Sequence, residues 1–165
     1  MNCRFFNSFG PGEVPGQYRN VIPNFVYWSM LEKSLPLTGT GDETRDFTYV
    51  FDLVQGLIKA AYYEDAIGQS FNLASGKETK IKDMISMVNN ATGNSTHITQ
   101  FPARKWDTKK RLLASIELAG KLIDYKPITQ FEYGLKENMK WFKLNWDRIQ
   151  EAADFPIGMS SAVRK

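Results

Sequence analysis

Apolar stripes of helical period alternate with short extended runs along this chain, and that alternation restricts it to a mixture of packed helices and strands. Ile22, Phe25, Val26, Ser29, Met30 and Lys33 share one mostly apolar face behind Pro23, a residue suited to a first helical turn. Val50, Leu53, Val54, Leu57, Ile58 and Ala61 form an almost unbroken stripe, expected to face the core. Ile81, Met84, Ile85 and Val88 form another that ends near Gly93. The longest stripe runs Phe131, Leu135, Met139, Phe142, Trp146, Ile149, and Thr129 with Glu132 stand before it at capping-box spacing. Ser115 is a plausible N-cap for a shorter helix reaching Ile123. Residues 3–7, 35–38, 46–49, 70–73 and 97–101 read as strands.

With 165 residues, 42% of them hydrophobic and 24% charged, the chain is long enough to bury a core and ordinary for a soluble domain. A net charge of +3 gives no reason to expect nucleic acid or an anionic membrane as partner. The single cysteine, Cys3, excludes an internal disulfide framework and fits a cytoplasmic protein. No apolar run approaches the roughly 20 residues of a membrane span. Asn90 and Asn94 each head a glycosylation sequon, read as chance matches. His97 is the only histidine and has no acidic or cysteine partner nearby in sequence, so no metal site is expected. Gly10, Gly12 and Gly16 faintly suggest a dinucleotide fingerprint, but Pro11 and Pro15 remove donors and the helix begins only later. The tail, residues 151–165, loses its periodicity and is set apart from a portion spanning 1–150.

Four local patterns offer chemistry. Arg45 is displayed on a glycine-rich turn, residues 40–46, where its guanidinium fork suits a phosphate; a salt-bridged surface arginine is the plainer alternative. Asn7 ends the first strand with an amide that donates and accepts without charge, or it caps the loop that follows. Asn20 and Val21 stand at the start of a helix whose unsatisfied N–H groups and dipole favour an anion, or merely at an ordinary proline-started helix. Arg104 and Asp107 lie in a basic run with Lys105, Lys109, Lys110 and Arg111, which could equally serve a non-specific polyanion. Asp52 is expected to cap or brace the helix that starts at Val50.

Taken in order, Arg4-Phe-Phe-Asn-Ser-Phe-Gly-Pro11, Asn20-Val-Ile-Pro-Asn24, Leu35-Pro-Leu-Thr-Gly39 with the turn through Asp52, and Phe101-Pro-Ala-Arg-Lys-Trp-Asp107 resemble the C-terminal part of the extended short-chain dehydrogenases/reductases. These are the NAD-dependent nucleotide-sugar epimerases and dehydratases, UDP-glucose 4-epimerase among them. Asn72 to Gly76 and Tyr125-Lys-Pro127 add to the likeness, which runs from about Arg4 to Trp146. Phe51 and the pair Ile123-Asp124 depart from it.

The resemblance implies an α/β fold: a small mixed α/β substrate domain plus the last strands and helices of an incomplete Rossmann sheet. It implies that Asn7 touches the sugar-diphosphate, that Asn20 and Val21 line the nucleotide pocket, and that Leu37 meets the base. Arg45 and Arg104 would clamp the diphosphate, with Asp107 on a ribose hydroxyl or orienting Arg104. The ligand would be a UDP- or dTDP-sugar. The family's hydride chemistry uses NAD and a Tyr-x-x-x-Lys pair, and none of the seven tyrosines here has lysine four residues on. The resemblance therefore implies a substrate-binding portion that carries no catalytic residue, binds no NAD alone and is inactive alone. Its exposed sheet edge is expected to pair with a separate Rossmann half or to drive self-association. A non-catalytic, partner-complemented module and a 4,6-dehydratase parent are the alternatives.

Overall fold

The computed structural model describes residues 1–105, 108–153 and 155. In chain order the elements are β1 (Asn2–Phe5), β2 (Ser8–Phe9), α1 (Val21–Met30), β3 (Pro36–Thr38), β4 (Thr44–Arg45), β5 (Thr48–Tyr49) and α2 (Val50–Tyr62). There follow β6 (Ser70–Leu73), β7 (Thr79–Lys80), α3 (Ile81–Thr92), β8 (Thr99–Phe101), α4 (Glu117–Ile123), α5 (Phe131–Leu144) and α6 (Trp146–Ala152). The fold is mixed α/β, and its strands form small pairs. β1 runs parallel to β6, β2 to β5 and β3 to β8, while β4 and β7 are antiparallel. In the first pair Asn2 faces Ser70 and Phe5 faces Leu73.

Two apolar cores form. The larger gathers Ile22 and Val26 of α1, Met84, Ile85 and Val88 of α3, and Leu135, Met139 and Phe142 of α5 with Ile149 of α6. The smaller holds Phe71 and Leu73 of β6, Ala60 of α2, Ala119 and Ile123 of α4, and Tyr125. Asp46, fully buried between β4 and β5, joins them. Its carboxylate accepts the backbone N–H groups of Ser75 and Gly76 at 3.0 Å each and of Ala114 at 3.3 Å, together with the Ser75 hydroxyl.

Four expectations need correction. The stripe on α2 does not face the core: Val54, Leu57, Ile58 and Ala61 are exposed. The helix packs instead through Leu53, Gly56 and Ala60, and Gly56, with no Cβ, lets it approach closely. A Cβ on Gly56 would stand 2.8 Å from both Leu73 and the Tyr125 ring. The capping box at Thr129 and Glu132 does not form; Gln130 is the N-cap of α5 and makes no side-chain cap bond. Buried Asp52 takes its place, accepting the N–H groups of Thr129 at 2.9 Å and Ile128 at 3.3 Å, so it braces the entry to α5 from the first turn of α2. The longest stripe is also two helices, broken at Asn145.

The N-cap of α4 is Ile116 rather than Ser115, one residue later than expected. Asp124, where the resemblance leads one to expect glycine, adopts φ +49°, a left-handed conformation that aspartate tolerates. Lys59 secures it by donating to its carbonyl at 2.6 Å.

Candidate functional site

A cleft of about 290 Å³ opens between α1 and the segments around β3 and β4. Its walls follow from two periodicities. Strand alternation places residues i, i+2 and i+4 on one face. Glu43, Arg45 and Phe47 accordingly line the cleft, while Thr44 turns away to bond Glu78 at 2.7 Å and Asp46 turns into the joint between the cores. The same alternation governs β3: Pro36 and Thr38 line the cleft, and Leu37 packs into the larger core. On α1 the lining residues are Asn20, Val21, Asn24, Phe25 and Trp28, one face at helical spacing.

Of the residues singled out from the sequence, Asn7, Asn20, Val21, Arg45 and Arg104 share this one cleft. Leu37 does not join them, and Asp107 lies outside the described residues. Arg45 and Arg104 are both half-buried, and Arg45 donates through Nη1 to the Thr44 carbonyl at 2.8 Å, which fixes part of its fork. The amide of Asn7 donates to the Asp46 carbonyl at 3.1 Å, across the fold rather than into the loop that follows it. Asn20 donates to Glu13 at 2.9 Å, and burial pushes the Glu13 carboxyl up despite that bond. Asn24 grips Gly16 in both directions, accepting its N–H at 2.8 Å and donating to its carbonyl at 3.0 Å. The glycine-proline loop is thereby held against α1.

Sequence reasoning missed Arg19, Asn24, Phe25, Trp28, Glu43 and Phe47. Parity was the available signal: once Arg45 is placed in a site, Glu43 and Phe47 follow at ±2, and once Asn20 is, Asn24 and Trp28 follow at +4 and +8. The same parity separates Leu37 from its neighbours.

The basic run divides. Arg104 turns into the cleft, whereas Arg111 makes a two-pronged ion pair with Glu78 at 2.7 and 2.8 Å. That guanidinium, with the Thr44 hydroxyl, holds the Glu78 carboxyl down at about 2.

The loop at Gly10 and Gly12 packs on one side against α2. A Cβ on Gly10 would stand 2.6 Å from Val50, so that glycine serves packing against α2, and α1 begins only at Val21. Among the described residues no helix is long and apolar enough to cross a membrane. Asn94 of the second sequon is buried and donates to the Lys33 carbonyl at 3.0 Å, a tie between α3 and the end of α1.

Comparison with known proteins places this geometry. Residues 1–74 match the model of the NAD dependent epimerase/dehydratase family. An epimerase structure from Methanothermobacter thermautotrophicus superposes with a TM-score of 0.92 at 49% identity, covering 94% of this chain and 46% of that one. The Bordetella bronchiseptica enzyme WbmF, solved in complex with NAD+ and UDP, superposes with a TM-score of 0.78 at 36% identity, covering 90% and 47%. UDP-N-acetyl-alpha-D-glucosaminuronate decarboxylase of Bacillus cytotoxicus is 30% identical over 145 residues, 85% of this chain and 45% of that protein. The chain thus spans less than half the length of these relatives.

Proposed function

We propose that this relative of the NAD dependent epimerase/dehydratase family supplies the nucleotide-diphosphate grip of a nucleotide-sugar enzyme, most nearly a UDP-sugar 4-epimerase. One observation carries the reading: Arg45 and Arg104, far apart in sequence, line a single cleft that also takes in the N-terminus of α1. A diphosphate carries two negative charges, and two guanidinium forks can each offer it paired N–H donors. The N–H groups of the first turn of α1, which carries no acidic side chain of its own, add the positive end of the helix dipole. Phe25, Trp28 and Pro36 provide an apolar wall for the flat face of a base.

The relatives include an epimerase, a decarboxylase of a UDP-linked sugar and an enzyme solved with UDP, so the part shared on this reading is the UDP end. The hydride chemistry, NAD, and the residues that separate epimerase from dehydratase belong to residues outside this stretch. On this reading the chain works in the cytoplasm and turns over nothing alone. Calorimetric titration with UDP and dTDP tests it: Arg45→Ala and Arg104→Ala should each weaken binding at least tenfold. Unchanged affinity in both variants ends the clamp.

A second reading rests on α2. Phe51, Val54, Ile58 and Tyr62 make an exposed apolar stripe, and Phe5 of β1 is also exposed. Such a face suits further strands and helices of a parallel sheet, supplied by a Rossmann half or by a second copy. Light scattering of the isolated chain before and after Ile58→Glu separates this from a monomer that tolerates its surface: a fall in particle size supports association.

A further inference from the structure

We infer that Phe155 is a positioning residue for the cleft: its ring holds the Trp28 indole in the cleft wall, so that the tail beyond α6 tunes how the site receives the planar end of its ligand, an assignment that rests on the nucleotide-diphosphate reading. Trp28 lines the cleft from the last turn of α1 and is half-buried. A ring from its own helix and a ring from the tail both contact it. Phe25, three residues earlier, stands 6.0 Å away between ring centroids, at an interplanar angle of 40°. Phe155, from the far end of the chain, stands closer, at 5.2 Å and 46°. Tilted ring pairs at such separations are favourable beyond the area they bury.

The place of Phe155 is set by its neighbours rather than by any local period. Ile149 of α6 is fully buried in the larger core, and Trp146 at the start of α6 meets Tyr27 at 5.5 Å. α6 is thereby pinned against α1, and Phe155 comes three residues after its last residue, Ala152. The Phe155 ring stacks on Tyr27 at 5.7 Å and 19° while it also contacts Trp28. Consecutive helix residues project about 100° apart, so a ring that touches both bridges two faces of α1. Of the two, Trp28 is on the cleft wall.

Phe155 itself is not among the described residues that line the cleft, so it acts through the indole. A side chain on the wall of an open cleft must be immobilised when a ligand packs against it, and a wall fixed in advance removes that cost of binding. Arg45 is carried by β4 and Arg104 by the segment after β8, so the charged end of a ligand should not sense Phe155.

The test is calorimetric titration of the 165-residue chain with UDP and with inorganic pyrophosphate, which lacks the planar end. Phe155→Ala should weaken UDP about threefold to tenfold and leave pyrophosphate within about twofold of the wild type. Phe155→Tyr keeps the flat ring and should bind UDP within about twofold of the wild type. In a Trp28→Ala background, adding Phe155→Ala should change UDP affinity by less than about twofold, because the coupled partner is already gone. A residue that merely stabilises the fold would weaken both ligands together and would act regardless of Trp28. Unchanged UDP binding in Phe155→Ala, a parallel loss of UDP and pyrophosphate, or an undiminished loss in the Trp28→Ala background each overturns the assignment. A wild type that fails to bind UDP overturns the nucleotide-diphosphate reading and this assignment with it. UDP binding that Arg45→Ala abolishes but Phe155→Ala leaves alone overturns the role of Phe155 only.

Discussion

The lobe built from α1, α3 and α5 closes over its own core, whereas the layer of β1, β6, α2 and α4 covers only one side of itself. In the lobe, Met84, Ile85 and Val88 of α3 are fully buried because α1 and α5 flank that helix. In the layer, α2 meets β6, α4 and the β2–β5 ribbon through Leu53, Gly56 and Ala60, and Ile58 on the far side remains 55% exposed. An apolar stripe is therefore buried only as far as neighbours exist to bury it. The cleft sits on the closed lobe, where a rigid wall can hold Arg45, Arg104 and the start of α1 in one place. The open layer is the part that invites further structure.

The contrast can be broken experimentally, and the joint between the regions should show an effect as large as any. Asp46→Ala leaves the N–H groups of Gly76 and Ala114 without an acceptor and that of Ser75 with the Thr48 hydroxyl alone, and should cost roughly 2–4 kcal/mol in denaturant unfolding. A loss under 1 kcal/mol would mean that the two cores are not coupled there. Ile85→Ala in the lobe should cost about 2–4 kcal/mol, while Ile58→Ala on the open face should stay within about 0.5 kcal/mol. Equal costs would show that α2 is covered in solution. Gly56→Ala should cost about 1–3 kcal/mol by forcing α2 off Leu73 and Tyr125, with thermal unfolding as the measurement.

The smallest effect concerns acid. The Glu78 carboxyl falls from the ordinary 4.5 to about 2 in the fold, so the stabilisation it brings is present above pH 4.5 and is lost as pH drops from there toward 2. Because the pair is exposed, the loss should be slight. Arg111→Ala should flatten that part of the stability-versus-pH curve, and an unaltered curve would deny the pair any role.

Much of the cleft was legible locally. Arg45, Arg104, Asn7, Asn20 and Val21 were each visible as a residue type in a suitable local setting, and the fold brings all five to one cleft. Leu37 packs into the larger core, whereas alternation sends its neighbours Pro36 and Thr38 to the cleft. The helix at 131–152 was legible as a stripe but not as two pieces, since period alone does not mark the break at Asn145. Asp52 was expected to serve its own helix, and that it braces the entry to α5 instead was hidden because its partners, Ile128 and Thr129, lie far along the chain.

Period and turn chemistry are properties of neighbouring residues, so the sequence by itself determined where helices and strands arise, which residues alternate on a face, and which guanidinium and amide groups are available. Burial and convergence depend on what arrives from elsewhere in the chain. Only the tertiary structure decided that the α3 stripe is covered and the α2 stripe is not, that Asp46 bolts two cores together, and that Glu43 stands among arginines.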